Sequence, residues 1–487
     1  MRSAADAEAS WRNADCALAA PTPSDTSCRW PALVLLSGAT FWLWVASVLA
    51  LIASIKFHGP GFLADQAWLT YGRVRPAAWQ ALLYGGAMPL GLAAALWLSS
   101  HLCRMRLALS SLAAAGAVLW NVGVLAGVWG ILAGASTGFE WLEMPRHAAV
   151  MLFLGYGLMG MCALGTVQAR PAGVWHPSEW FLLAAVFWFP WVYSTAHLLL
   201  VVWPVRGVTQ AVVAWWYATN LGVVWLGLVG LGLVFYFVPR LLERPLHSRA
   251  LALVTFGGLV LLGGWTGVPT GAPVPAWMPA LSTATGVLML VPLLATLLNC
   301  WHTFSGRGWK TGSRPPLGFF VLGLLAYVVF SLIGVVDALP AVGRLTQFTW
   351  LTPARHQLAI YGFFVMTATG AIYEILPRLT GHRVGDRRVA LHLGTAAVGL
   401  VLAVVPLAAS GVVQGLKLNH PMVPFLESLN ATLPMVRLST LGEVLLLLAN
   451  SIFLANVAGV VLRLGRAQLA AAWRFATAPV PRPEGMP

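Results

Sequence analysis

WWYATNLGVVWLGLVGLGLVFYFVP, residues 215–239, opens on three aromatic side chains, passes Ala218, Thr219 and Asn220, and runs to Pro239 without a charge. A run of this length exceeds the roughly 20 residues that an α-helix needs to cross a hydrocarbon core of about 30 Å. It predicts a membrane-spanning helix, and the aromatic triplet at its start suits a water–lipid interface. The interface does not account for the hydroxyl of Thr219 and the amide of Asn220 one turn further in.

Working outward from that helix, windows of the same character lie near 33–55, 78–99, 108–133, 147–168, 178–203, 250–268, 277–301, 316–336, 354–376, 389–412 and 435–462. Of 487 residues, 59% are hydrophobic and 9% charged, with mean hydropathy +0.78. An ordinary soluble domain carries about 25% charged residues. The fold class is therefore an all-α polytopic membrane protein with twelve transmembrane helices. Residues 31–464 are expected to form the membrane domain, with residues 1–30 a flexible cytoplasmic tail and 465–487 a second cytoplasmic tail. No period of 20–50 residues marks a repeat array, and the five cysteines have no CxxC or matched spacing.

The formal charge of +14 has no solvent-exposed domain on which to cluster, so no nucleic-acid partner is expected. It reports topology instead. With both termini on one side, that side holds 20 of the 29 lysines and arginines and the other side 9. The positive-inside rule places both termini in the cytoplasm.

Polar groups inside spans carry the functional information in such a chain. His147, His197 and His356 all fall in the outer leaflet. Imidazole is a ligand for copper and for haem iron, and a histidine near a helix end also reaches interfacial water or a carbonyl. Glu443, about two turns into the last span, is expected to face the bundle, because an intramembrane charge costs about 2.5–3.5 kcal/mol near the bilayer centre. Glu374 beside Arg378 reads as an interfacial ion pair, and Asn299, Asn450 and Asn456 as interhelical hydrogen-bonding groups.

Several short signatures in order then resemble one family. WLTYGRVRP (68–76), WWYATN followed by FYFVPRLLERPLHSRAL (235–251), WTG (265–267) and VVQGL to RLSTLGE (412–443) are similar to the catalytic subunit I of C-type (cbb-type) haem-copper cytochrome c oxidases. The likeness spans about residues 33–462 and implies that family's twelve-helix fold, in the inner (plasma) membrane of a bacterium, with the lipid bilayer as surroundings and membrane-anchored c-type cytochrome subunits or an oxidase complex as partners.

The family's chemistry uses six histidines for two haems and one copper ion, and most of those positions differ here. The resemblance puts Ala78 at the first low-spin haem ligand, Thr219 at a copper ligand of the sixth helix, and Pro269 and Thr270 near the paired copper ligands of the seventh. The family's His-x-His of the tenth helix leaves His356 alone, with Arg355 beside it. Counting from Trp350 puts His356 at the low-spin haem ligand, and counting back from GAIYEILPR shifts the register by about one residue. The resemblance thus implies no copper, and either no haem or at most one haem b, held by His356 with Arg355 on a propionate. A replacement ligand would be Met88, His197 or water; an empty pocket would be packed by Trp79 and Tyr361.

Three functions follow. The first is a cytochrome c oxidase subunit I-like membrane protein that is a non-catalytic paralogue, acting as scaffold or partner in a respiratory complex. The second is a haem-binding membrane oxidoreductase, of terminal oxidase or nitric oxide reductase type, with an altered site. The third is a transporter or proton-conducting module using Glu443, Thr219 and Asn220.

Overall fold

The computed structural model describes residues 21–305 and 315–477, in which helices and turns but no strands occur. Eleven helices are long and apolar enough to cross a membrane. In chain order they are α1 Pro23–His58, α2 Tyr71–Leu102, α3 Ser110–Ala133, α4 Arg146–Gln168, α5 Pro177–Val202 and α6 Val208–Leu241, then α8 Trp277–Phe304, α9 Pro315–Asp337, α10 Leu351–Thr380, α11 Asp386–Leu418 and α12 Phe425–Thr477. Between α6 and α8 stands the shorter apolar helix α7, Arg249–Trp265. All twelve expected spans are thus helices.

Two boundaries differ from the sequence reading. The helix α1 starts at Pro23, inside the expected tail, because Thr22 caps it: Thr22 Oγ1 accepts from Asp25 N (3.3 Å) and Asp25 Oδ2 accepts from Thr22 N (2.9 Å). Asp25 Oδ1 also accepts from Trp97 Nε1 of α2 (2.8 Å), and Cys28 is buried in α1. At the other end α12 continues past residue 464 to Thr477. Most of the expected N-terminal tail, with Cys16, and the end of the C-terminal tail lie outside the described residues.

Close approach of helices depends on small residues, since lipid gives no hydrophobic drive to helix pairing. A Cβ on Gly116 of α3 would stand 2.8 Å from the carbonyl oxygen of Gly155 on α4. The centre is built from α2, α6 and α10, whose apolar windows are 94%, 89% and 94% buried, against 39% for α5, α8, α9 and α12. These three helices form an inner layer that the others screen from lipid.

Tyr217 departs from the interfacial role its triplet suggested. It is fully buried, and its hydroxyl shares a short hydrogen bond with that of Tyr84 on α2. The phenol pair replaces the interfacial water that a belt tyrosine uses.

Candidate cofactor sites

Each inner helix widens by π-type turns that begin one to three residues after the position singled out in its sequence. The widened stretches are Ala81–Ala87 after Ala78, Asn220–Trp225 after Thr219, and Leu358–Val365 after His356 and Gln357. Such turns are rare and cluster at functional sites, because they rotate the following side chains out of the ordinary helical register.

Beside Ala78 lies a cavity of about 100 Å³ bounded by α1, α2, α10, α11 and α12. Its lining includes Arg75, Ala78, Trp79, Gln357, Tyr361 and Glu443. Successive helical residues point about 100° apart, and α10 uses that geometry fully. Gln357 lines the cavity, whereas His356 and Arg355 do not. Met88 and His197 are likewise absent from its lining. Haem iron takes imidazole, thiolate, thioether or phenolate as axial ligand. The lining has no histidine, cysteine or methionine, and its tyrosines are engaged: Tyr71 by Arg75 (2.8 Å) and Tyr361 by Asn450 (3.0 Å). This donor set does not fit an axially ligated haem.

His356 turns instead toward the segment between α3 and α4. Its Nδ1 is 3.4 Å from Oε1 of Glu140, and its ring meets Trp141 and Trp79 edge-on at centroid distances of 5.0 and 6.2 Å. Trp141 has φ 70°, a left-handed conformation that a bulky side chain adopts at a cost. Its carbonyl accepts from Tyr84 Oη (3.0 Å), and its ring lies against Gly222 of α6, which together hold that conformation. Burial, the largest influence on Glu140, raises its pKa, yet the His356 imidazole and the Arg75 guanidinium bring the carboxyl below its ordinary value. Glu143, on the same segment, is pushed up to about 8 by burial and then by the charge of Glu140. It shares a short hydrogen bond with Gln80 Nε2, while Gln80 Oε1 has no partner among the described residues.

Arg355 points the third way, toward α9. Its Nη1 lies 3.8 Å from Asp337 Oδ2 and its guanidinium is 5.2 Å from the Phe330 ring centroid.

At the second site, α7 ends at Trp265, and Pro269 and Thr270 fall in the irregular segment that follows. Gly267 (φ +94°) and Gly271 (φ +87°) adopt conformations that break a helix, with Pro269 between them. Thr270 Oγ1 accepts from Gln347 Nε2 (3.0 Å), so it packs toward the α9–α10 connection. Thr219 abuts Gly267 so closely that a Cβ there would collide with Thr219 Oγ1. Asn220 is fully engaged: Oδ1 accepts from Trp188 Nε1 (3.1 Å), and Nδ2 donates to the carbonyls of Trp216 (2.8 Å) and Gly264 (3.3 Å). The aromatic residues Tyr84, Tyr193, Tyr217, Phe189 and Trp225 fill the neighbouring core.

The three histidines expected in the outer leaflet are not brought together as a metal-binding group among the described residues. His147 is exposed, and His197 Nδ1 pairs with the Tyr193 carbonyl (2.9 Å) while its Nε2 has no partner. Among the described residues, no group of three or more His, Cys, Asp or Glu side chains is placed to hold a metal. Asn299 bonds both backbone groups of Ser248 (2.9 and 2.8 Å), Asn450 bonds Tyr361 and Ser47, and Asn456 bonds Tyr373 (3.1 Å). Arg378 lies with its guanidinium 5.7 Å from the ring centroid of Trp97.

Glu140, Trp141, Glu143 and Gln357 are the site residues that sequence reasoning missed. Two carboxylates flanking a tryptophan in a short connection, FEWLEMPRH (139–147), were the available signal.

Residues 31–445 match the model of the family described as cytochrome c and quinol oxidase polypeptide I. A cbb3-type cytochrome c oxidase subunit of Stutzerimonas stutzeri is 25% identical over 434 residues, covering 85% of this chain and 90% of its own. A cytochrome c oxidase subunit 1 homolog of Azorhizobium caulinodans is 25% identical over 441 residues, covering 86% and 79%. In structure, a chain of a haem-copper terminal oxidase dimer superimposes with TM-score 0.66 at 14% identity, covering 88% of this chain and 84% of that one. The fold is that of a haem-copper oxidase subunit I, and the chain belongs to the cytochrome c and quinol oxidase polypeptide I family.

Proposed function

We propose that this subunit I-like membrane protein is a non-catalytic paralogue that serves as scaffold or partner in a respiratory complex of a bacterial plasma membrane. One observation carries the reading: the cavity beside Ala78, where the resemblance expects a haem ligand, has no histidine, cysteine or methionine in its lining, and its two tyrosines are already hydrogen-bonded. Haem iron takes imidazole, thiolate, thioether or phenolate ligands, and the family's copper takes imidazole, none of which apolar and amide groups replace. The close packing of Thr219 on Gly267 supports the same reading at the copper position. Fold by itself does not retain chemistry.

The partners proposed are membrane-anchored c-type cytochromes or an oxidase complex, since relatives of this chain are named as oxidase subunits. Both termini are proposed to be cytoplasmic, on the 20 to 9 division of basic residues.

The test is a reduced-minus-oxidised spectrum with a pyridine haemochrome count on protein purified from haem-replete cells, together with a search for co-purifying c-type cytochromes. The expected result is no b-type haem in the chain itself and a stable association with a cytochrome-bearing complex. A Soret band that disappears in His356→Ala would overturn the reading in favour of a haem-binding oxidoreductase.

A further inference from the structure

The cavity between α1, α2, α10, α11 and α12 contains more hydrogen-bonding capacity than the protein itself uses. Ser47 and Tyr361 bond to Asn450, Ser54 to Thr440, and Ser439 to the carbonyl of Ala403. Gln357 and Glu443, in contrast, line the cavity without a hydrogen-bond partner among the described residues. Polar groups taken from water into a helical bundle are normally paired, so two unpaired ones around one space point to an occupant.

Three properties define that occupant. The volume of about 100 Å³ is of the order of the engineered apolar cavity, about 150 Å³, that takes one benzene. Four aromatic side chains, Trp79, Trp350, Tyr71 and Tyr361, are in its lining, which suits packing against a ring. Charge is disfavoured in both signs, because Arg75 and Glu443 line the same space. A bare hydrocarbon ring would leave the amide and the carboxyl unsatisfied, whereas an oxygen substituent answers both.

We propose that this cavity binds a neutral six-membered ring bearing a hydroxyl or carbonyl oxygen, with the oxygen on Gln357 and Glu443 and the ring between the aromatic walls. This rests on the reading that no haem occupies the cavity. The two fail separately: a b-type Soret band overturns the haem-free reading, while absence of ring binding in protein without a Soret band overturns this one alone.

The probe is phenol, with toluene as a control of nearly the same shape that lacks the oxygen. Binding to the purified full chain in detergent is followed by saturation-transfer NMR and by thermal shift. Phenol is expected to bind saturably and at least tenfold more tightly than toluene. Gln357→Leu and Glu443→Leu should each weaken phenol by fivefold or more while leaving toluene unchanged or tighter. Ala78→Phe, which fills the space and keeps both polar groups, should abolish saturable binding of either probe and serves if the leucine variants do not fold. Equal affinity for phenol and toluene, phenol binding unaffected by these variants, or no saturable binding of either probe, as a purely water-filled cavity would give, overturns the proposal.

Discussion

Gln357 shares a cavity with Ala78, while its neighbour His356 sets Nδ1 3.4 Å from the Glu140 carboxylate on a different side of the same helix. The rotation of about 100° between two adjacent helical residues thus turns the imidazole away from the cavity. His356→Ala is expected to remove contacts with Glu140, Trp141 and Trp79 and to lower stability by no more than about 1 kcal/mol, because the Glu140 carboxylate is exposed and water replaces its partner. The absorption spectrum should be unchanged. Thermal unfolding and a Soret-region scan of the two proteins check this.

Glu143 makes stability depend on pH. Its carboxyl is held at about 8 in the folded protein by burial, above the ordinary value of about 4.3. The folded state therefore binds the proton more tightly than the unfolded state, and this stabilisation is complete below about pH 4 and is lost as pH rises through about 8. The melting temperature in detergent should fall between about pH 5 and pH 9. Glu143→Gln, which cannot ionise and keeps a partner for Gln80, should flatten that slope, and an unchanged slope would refute the assignment.

Gly267 is required by its neighbour as well as by its backbone. Its φ of +94° favours glycine, and a Cβ would collide with Thr219 Oγ1. Gly267→Ala is expected to destabilise the protein by roughly 1–3 kcal/mol from backbone strain alone, with a further loss from the collision. Adding Thr219→Ala should recover only the steric part, so a double-mutant cycle on melting curves gives a partial rescue.

Restoring one imidazole should not restore copper. Thr219→His supplies a single ligand on α6, while Pro269 and Thr270 lie beyond the end of α7 in an irregular segment. Metal analysis of this variant after copper loading is expected to show no stoichiometric copper; one equivalent per chain would contradict the geometry.

Asn450 ties three helices together by accepting from Tyr361 Oη (3.0 Å) and donating to Ser47 Oγ (2.7 Å). Asn450→Leu should cost about 1–2 kcal/mol, since intramembrane hydrogen bonds measure near 0.6 kcal/mol each with an upper value near 1.7. Asn450→Asp, protonated in the bundle, should lose less. Unfolding in mixed detergent ranks the two.

The sequence alone determined the twelve helices, because a span is fixed locally: every backbone group in hydrocarbon must be paired within its own segment, so length and apolarity suffice. Through the resemblance it also pointed to Ala78, Thr219, Pro269 and Thr270 as the positions to examine, since those are single residues in recognisable strings. The direction of each side chain was not legible. Whether His356 or Gln357 meets the cavity depends on about 100° of helix rotation, and that rotation is set by which neighbours pack against α10. Likewise nothing local announced that Trp141 would fold back between α6 and α10, that Tyr217 would leave the interface to bond Tyr84, or that Glu143 would be buried. Those are long-range contacts between segments far apart in the chain, and only tertiary packing decides them.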